Sequence, residues 1–160
     1  MNYSKALNEC IESAYMVAGH FGARYLESWH LLIAMSNHSY SVAGATLNDY
    51  PYEMDRLEEV ALELTETDYS QDETFTELPF SHRLQVLFDE AEYVASVVYA
   101  KVLGTEHILY AILHDGNALA TRILERAGFS YEDQKDQVRI AALRRNLEER
   151  AGWTREDLKA

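Results

Sequence analysis

The sequence predicts an all-α fold of two tandem four-helix repeats related by pseudo-twofold symmetry, on three observations. Apolar residues recur at helical spacing from Ser4 to Phe21 and again from Ser81 to Val98. Each run is followed by a short, almost wholly apolar stretch, Leu26–Met35 and then Leu103–Leu113, 77 residues apart. Aligned without gaps, Tyr3–Ser36 and Phe80–Leu113 share ten identities in 34 pairs, where chance gives about two or three at ordinary residue frequencies. Among them are Ser4/Ser81, Leu7/Leu84, Ala14/Ala91, Leu26/Leu103, His30/His107 and Leu32/Leu109.

The first helix carries Leu7, Cys10, Ile11, Ala14, Val17, Ala18 and Phe21 on one stripe, and Gly22 can take the left-handed conformation that ends it. Ser28 is the expected cap of the second helix. A helix that is apolar nearly all round must be buried, so this short helix should be wrapped by the other three of its repeat. A third helix is expected over Ser41–Leu47. Asp49-Tyr50-Pro51 makes a turn, because proline disfavours helix in the residue before it. The fourth helix then runs from Tyr52 to Leu64, with Met54, Leu57, Val60, Ala61 and Leu64 as its stripe.

Residues 65–79 hold five acids and few apolar groups and read as an acidic linker. The pattern then restarts. Ser81 opens a helix with Leu84, Leu87, Phe88, Ala91, Val94, Ala95 and Val98 inward, and Thr105 takes the capping place of Ser28. A helix from about Asn117 to Ala127 stops at Gly128, and a longer one runs from Tyr131 towards Glu149. The chain thus divides into a double-repeat domain over 1–149, with repeat one at 3–64 and repeat two at 80–149. Residues 150–160 begin a connection, and helical sequence up to Ala160 is the sign of a longer protein.

Composition closes off several functions. A net charge of −13 opposes nucleic acid, whose phosphates need Lys and Arg to displace their counterions, and it opposes an anionic membrane surface equally. The charge is uneven, since the first 134 residues carry −15. No apolar run approaches the roughly 20 residues that span a bilayer. The N-terminus lacks the apolar core of a signal peptide, and Cys10, the only cysteine, allows neither an internal disulfide nor a thiolate zinc cluster. The expected compartment is the cytoplasm.

Little catalytic chemistry is written in the chain. No phosphate-binding G-x-x-x-x-G-K-[ST] loop occurs. Ser28 and His30, like Thr105 and His107, are two residues apart and point away from each other on a helix. His30 and His107 are the residues a metal site would use, and Glu27 to His30 spells Glu-x-x-His. The second copy has Gly104 in place of Glu27, however, and the zinc spacings H-E-x-x-H and H-x-x-E-H are absent. An imidazole buried near a helix start, hydrogen-bonded and neutral, is the reading preferred. Glu106 sits in a first helical turn, where the helix dipole favours a carboxylate. Trp29 fills the equivalent place, so the fold does not demand an acid there, and both a capping and a ligand-binding role stay open. Tyr15, Tyr25, Tyr93, Tyr99 and Tyr110 are expected mostly in the core or half-buried.

The segments Leu103-Gly104-Thr105-Glu106-His107-Ile108-Leu109 and Ala120-Thr121-Arg122-Ile123-Leu124-Glu125-Arg126-Ala127-Gly128 carry a family resemblance. From about Tyr3 to Leu147 the duplicated unit resembles the Clp N-terminal repeat, in particular the paired repeats at the front of ClpC-type AAA+ unfoldases. The first copy, with Glu27-Ser28-Trp29-His30-Leu31-Leu32, is more divergent. The resemblance implies a docking domain that is not an enzyme and has no cofactor of its own. It would receive adaptor proteins of the MecA type and unfolded or arginine-phosphorylated substrates. The ATP-driven hexameric ring, which feeds a ClpP-type peptidase, would lie in further domains.

In some family members phosphoarginine is bound once per repeat. The signature glutamate pairs with the guanidinium, and a hydroxyl residue at the start of the repeat's first helix helps to hold the phosphate. In repeat two this implies Glu106 and Ser81; in repeat one Ser4 remains but Trp29 replaces the glutamate, so no pocket is implied there. The rival readings are a stand-alone helical metal-binding protein using His30 and His107, and a free regulatory protein of the same fold.

Overall fold

The computed structural model describes residues 1–66, 77–114 and 118–150, the last five by backbone only. Among them are eight α-helices and two short strands. Repeat one holds β1 (Asn2–Tyr3), α1 (Lys5–His20), α2 (Ser28–Asn37), α3 (Val42–Leu47) and α4 (Leu57–Thr65). Repeat two holds α5 (His82–Val97), β2 (Val102–Leu103), α6 (Thr105–His114), α7 (Leu119–Arg126) and α8 (Tyr131–Arg150). The expected linker centre, residues 67–76, the helix start at Asn117 and the connection over 151–160 lie outside the described residues.

The duplication appears in matching hydrogen bonds. Leu7 N–H donates to the Ser4 hydroxyl at 3.1 Å, and Leu84 N–H donates to that of Ser81 at 3.1 Å. Each serine satisfies one of the orphan donors of a first turn. Both first helices are 16 residues long, and both central helices, α2 and α6, are buried along nearly their whole length.

Three local assignments change. Thr105 does not cap α6; it is the helix's first residue, and its hydroxyl accepts the backbone N–H of Ala43 in α3 at 3.1 Å. Nor does Ser28 cap α2, for Glu27 stands at that place. The fourth helix is shorter than Tyr52–Leu64 because the chain first makes a 3₁₀ turn over Met54–Arg56. There Glu53 N–H is drawn to the carbonyl of Ala127 at 2.7 Å, and Tyr52 packs its ring on Phe129 with centroids 6.0 Å apart. Tertiary contacts with repeat two override local periodicity at that point.

The repeats also interlock in a way that periodicity does not reveal. β1 pairs in parallel with β2, Tyr3 opposite Leu103, and Ser4 N–H donates to Leu103 O at 2.8 Å. Symmetrically, Leu26 bridges Phe80, and Ser81 N–H donates to Leu26 O at 3.0 Å. The entry to each repeat's first helix is therefore tied to the other repeat. Fourth helices cross over as well. α4 packs on α7, and α8 packs on α3 as well as on α6, so each central helix is not enclosed by its own three neighbours alone.

Candidate functional site

Neither Ser81 nor Glu106 lines the clefts described below. Beside Ser81, the α5 residues His82 and Arg83 line a cleft with Trp29 of α2 and with Ala111 and His114 near the end of α6. Glu106 lies at the opposite end of α6, about 12 Å from His114 along the axis at 1.5 Å per residue. The helix start that the fold ties to the entry of α6 is that of Ser4. The start of α5, at Ser81, is tied in the same way to Leu26, at the entry of α2.

Glu106 is 3% exposed. Its carboxylate folds back over Gly104, where a β-carbon would collide with it, and Oε1 lies 3.2 Å from His107 Nδ1. A glycine at 104 and an inward glutamate at 106 therefore belong together. In repeat one the same two places hold Glu27 and Trp29.

Both histidines have one structural task. His30 Nδ1 accepts the backbone N–H of Glu27 at 2.9 Å, and His107 Nδ1 accepts that of Gly104 at 2.9 Å. Each reaches back from the third position of its helix, as the glutamate of a capping box does. Both are fully buried, and burial pushes the His30 imidazole down to about 3. A ring held neutral in this way, flanked by Trp29 and Phe21, is poorly placed to act as a general base near neutral pH. Among the described residues no group of three or more His, Cys, Asp or Glu side chains is arranged to hold a metal ion. Burial also pushes the Cys10 thiol up to about 12, which removes its nucleophilic form.

An open apolar groove lies elsewhere. A groove of about 600 Å³ runs between α5, α6 and α8, floored by Val94, Val97, Val98, Tyr110 and Leu143. The Arg139 guanidinium lies 4.1 Å from the centroid of the Tyr110 ring and donates to Asp136 at 3.2 Å. Asp89 and Glu90 form the acidic rim. The matching residues of repeat one make different contacts. There Phe21 replaces Val98 and packs edge-on against Trp29 with centroids 4.6 Å apart, while His20, in place of Val97, meets Glu58 of α4 at 2.5 Å.

Tyr93 lines this groove, and Tyr99 follows its residues Val97 and Val98 in the chain. Tyr93 is 70% exposed and Tyr99 86% exposed, and Tyr25 is exposed too, contrary to the core or half-buried places expected of them. The missed signal is on the outer face of α5, where Val86, Tyr93 and Val97 stand off the buried stripe. Apolar residues opposite an amphipathic helix's core face mark a second surface.

The family model for the Clp repeat (R) N-terminal domain matches residues 2–127 and 80–152. The fold resembles the N-terminal domain of the chaperone ClpD from Arabidopsis thaliana, with TM-score 0.70 and 20% identity over 90% of this chain and 94% of that one. It is similar also to a structure from investigations of a malarial protein secretion system, at TM-score 0.70 and 22% identity over 92% and 96% of the two chains. The Hsp104 N-terminal domain from Candida albicans matches with TM-score 0.66 and 19% identity, over 89% and 90%. No curated protein matches the sequence. No described helix is long and apolar enough to cross a membrane.

Proposed function

This chain belongs to the Clp repeat (R) N-terminal domain family, and we propose that it is a docking module for an ATP-driven protein unfoldase, receiving unfolded segments and adaptor proteins without catalysing a reaction. The observation that carries the proposal is the groove between α5, α6 and α8, an open apolar surface on a chain of net charge −13. A large exposed apolar patch with a polar rim is the mark of a protein-binding surface. The capping bonds made by Nδ1 of His30 and His107 give both rings a structural role that needs no metal.

The finer parts of the proposal are MecA-type adaptors, delivery to a ClpP-type peptidase in the cytoplasm, and recognition of phosphoarginine. A phosphoarginine pocket would use Glu106 for the guanidinium. Its phosphate side would be a helix start, Ser81 by repeat membership, with Ser4 as the alternative that a backbone hydrogen bond ties to Leu103 at the entry of α6.

Fluorescence anisotropy with a labelled, permanently unfolded casein tests the docking reading. The wild-type chain should bind it saturably. Val97→Asp, on the groove floor and 57% exposed, should weaken binding at least about tenfold while the melting temperature is kept. Absence of saturable wild-type binding would overturn the proposal.

A further inference from the structure

We propose that the turn closing α5 is built to present Tyr99 as a docking anchor for polypeptide segments whose apolar residues are flanked by Lys or Arg. The inference rests on the docking reading above and names the contact residue and the partner's chemistry.

The chain carries its own control for this turn. The alignment of the two repeats places Gly22 opposite Tyr99, and both residues adopt the left-handed backbone, with φ 61° and 59°. Local structure is alike too, since Ala23 N–H donates to Ala18 O at 3.1 Å and Ala100 N–H to Ala95 O at 2.8 Å. Glycine adopts this conformation freely, whereas a residue with a β-carbon is strained there. Repeat one uses the residue the backbone prefers; repeat two uses tyrosine and leaves its side chain 86% exposed. So large an exposed ring contributes little core burial in return for the strain. Strain held at an exposed aromatic is the signature of a contact site, and tyrosine is among the residues that dominate binding interfaces.

Position and charge complete the assignment. Tyr99 follows directly on Val97 and Val98, which floor the groove, and Tyr93 is exposed one turn earlier on the same face as Val97. Besides Tyr93 and Tyr110, the charged or titratable groups lining the groove are Asp89 and Glu90 on α5, His114 on α6 and Arg139 on α8. Arg139 is already matched by Asp136 and has a nitrogen 3.4 Å from His114 Nδ1. Asp89 and Glu90 have no cationic partner among the described residues, and Lys101 is the one basic residue near Tyr99 in the sequence. The uncompensated charge facing a ligand is thus negative, in a stretch of 134 residues that carries −15. A segment that pairs apolar anchors with basic flanks complements this surface, and an acidic segment is repelled.

Three labelled peptides with one apolar core, flanked by Arg, Ser or Glu, would test the proposal by anisotropy at low and high salt. The Arg-flanked peptide should bind tightest and lose most affinity as salt rises. Tyr99→Gly, which installs the residue of repeat one, should weaken it about tenfold or more without lowering the melting temperature. Tyr99→Asn, which also tolerates the left-handed backbone, should behave in the same way. Equal binding by wild type and both variants overturns the anchor while docking stands, and equal binding of Glu- and Arg-flanked peptides overturns the partner class. If neither these peptides nor unfolded casein binds the wild type, the docking reading itself falls.

Discussion

The hydroxyl of Thr105, at the start of α6, accepts the backbone N–H of Ala43 in α3 at 3.1 Å, and both residues are buried. This one hydrogen bond ties the central helix of repeat two to repeat one. Thr105→Val keeps the shape and removes the acceptor, leaving the Ala43 N–H unsatisfied in the core. The expected loss is about 1–3 kcal/mol. Urea denaturation should show it as a lowered midpoint with an unchanged slope.

Leu109 lies on α6 with no exposed surface. Leu109→Ala should cost about 2–5 kcal/mol, because the cavity left behind cannot fully collapse. A melting temperature close to that of wild type would show that α6 is not the centre of repeat two.

Glycine 44 is held for space. A β-carbon there would collide with the backbone carbonyl of His38 and stand 2.5 Å from that of Met35. Neither is a flexible side-chain end that could swing aside, so Gly44→Ala should prevent folding or lower the melting temperature steeply. Gly22→Ala meets no atom within 4 Å and suffers only from its φ of 61°, a cost of about 1–2 kcal/mol. Thermal melts of the two variants should therefore differ widely.

His30 makes stability depend on pH. Its ordinary value is 6.5, and burial pushes it down to about 3 in the folded chain. Between those values the unfolded chain binds a proton that the folded chain refuses, so stability is full above about pH 6.5 and falls as the pH is lowered. The slope approaches about 1.4 kcal/mol per pH unit for this one group. Between pH 5 and 6.5, where carboxylates contribute little, His30→Asn should flatten the dependence of the urea midpoint on pH. An unchanged slope would show that His30 is not buried neutral.

Glu106→Gln keeps the side chain's size beside Gly104 and removes its charge. If phosphoarginine binds here, calorimetry should show one site per wild-type chain, weakened about ten- to a hundredfold by the variant. No heat with the wild type would leave protein docking as the module's activity.

Much of this molecule is legible along the chain because the forces involved are local. Ser4 and Ser81 cap the first turns that follow them, Gly22 and Gly128 close helices with φ of 61° and 100°, and His30 and His107 reach back three residues. Each is a contact within one turn, so residue type and spacing determine it. The full burial of α2 and α6 was legible for a related reason, since a helix apolar on every side has no face to offer water.

What only the tertiary structure decided is which segments meet. Residues paired across the repeats, such as Tyr3 with Leu103 and Glu53 with Ala127, are distant in the chain. The hydrophobic effect that joins them is non-directional, so periodicity records which face must be covered and not what covers it. For that reason the sequence did not show that Ser4 is tied to Leu103 of the other repeat and Ser81 to Leu26. For the same reason the helical stripes could not show that His20 and Phe21 meet Glu58 and Trp29 in repeat one, while Val97 and Val98 line a groove in repeat two.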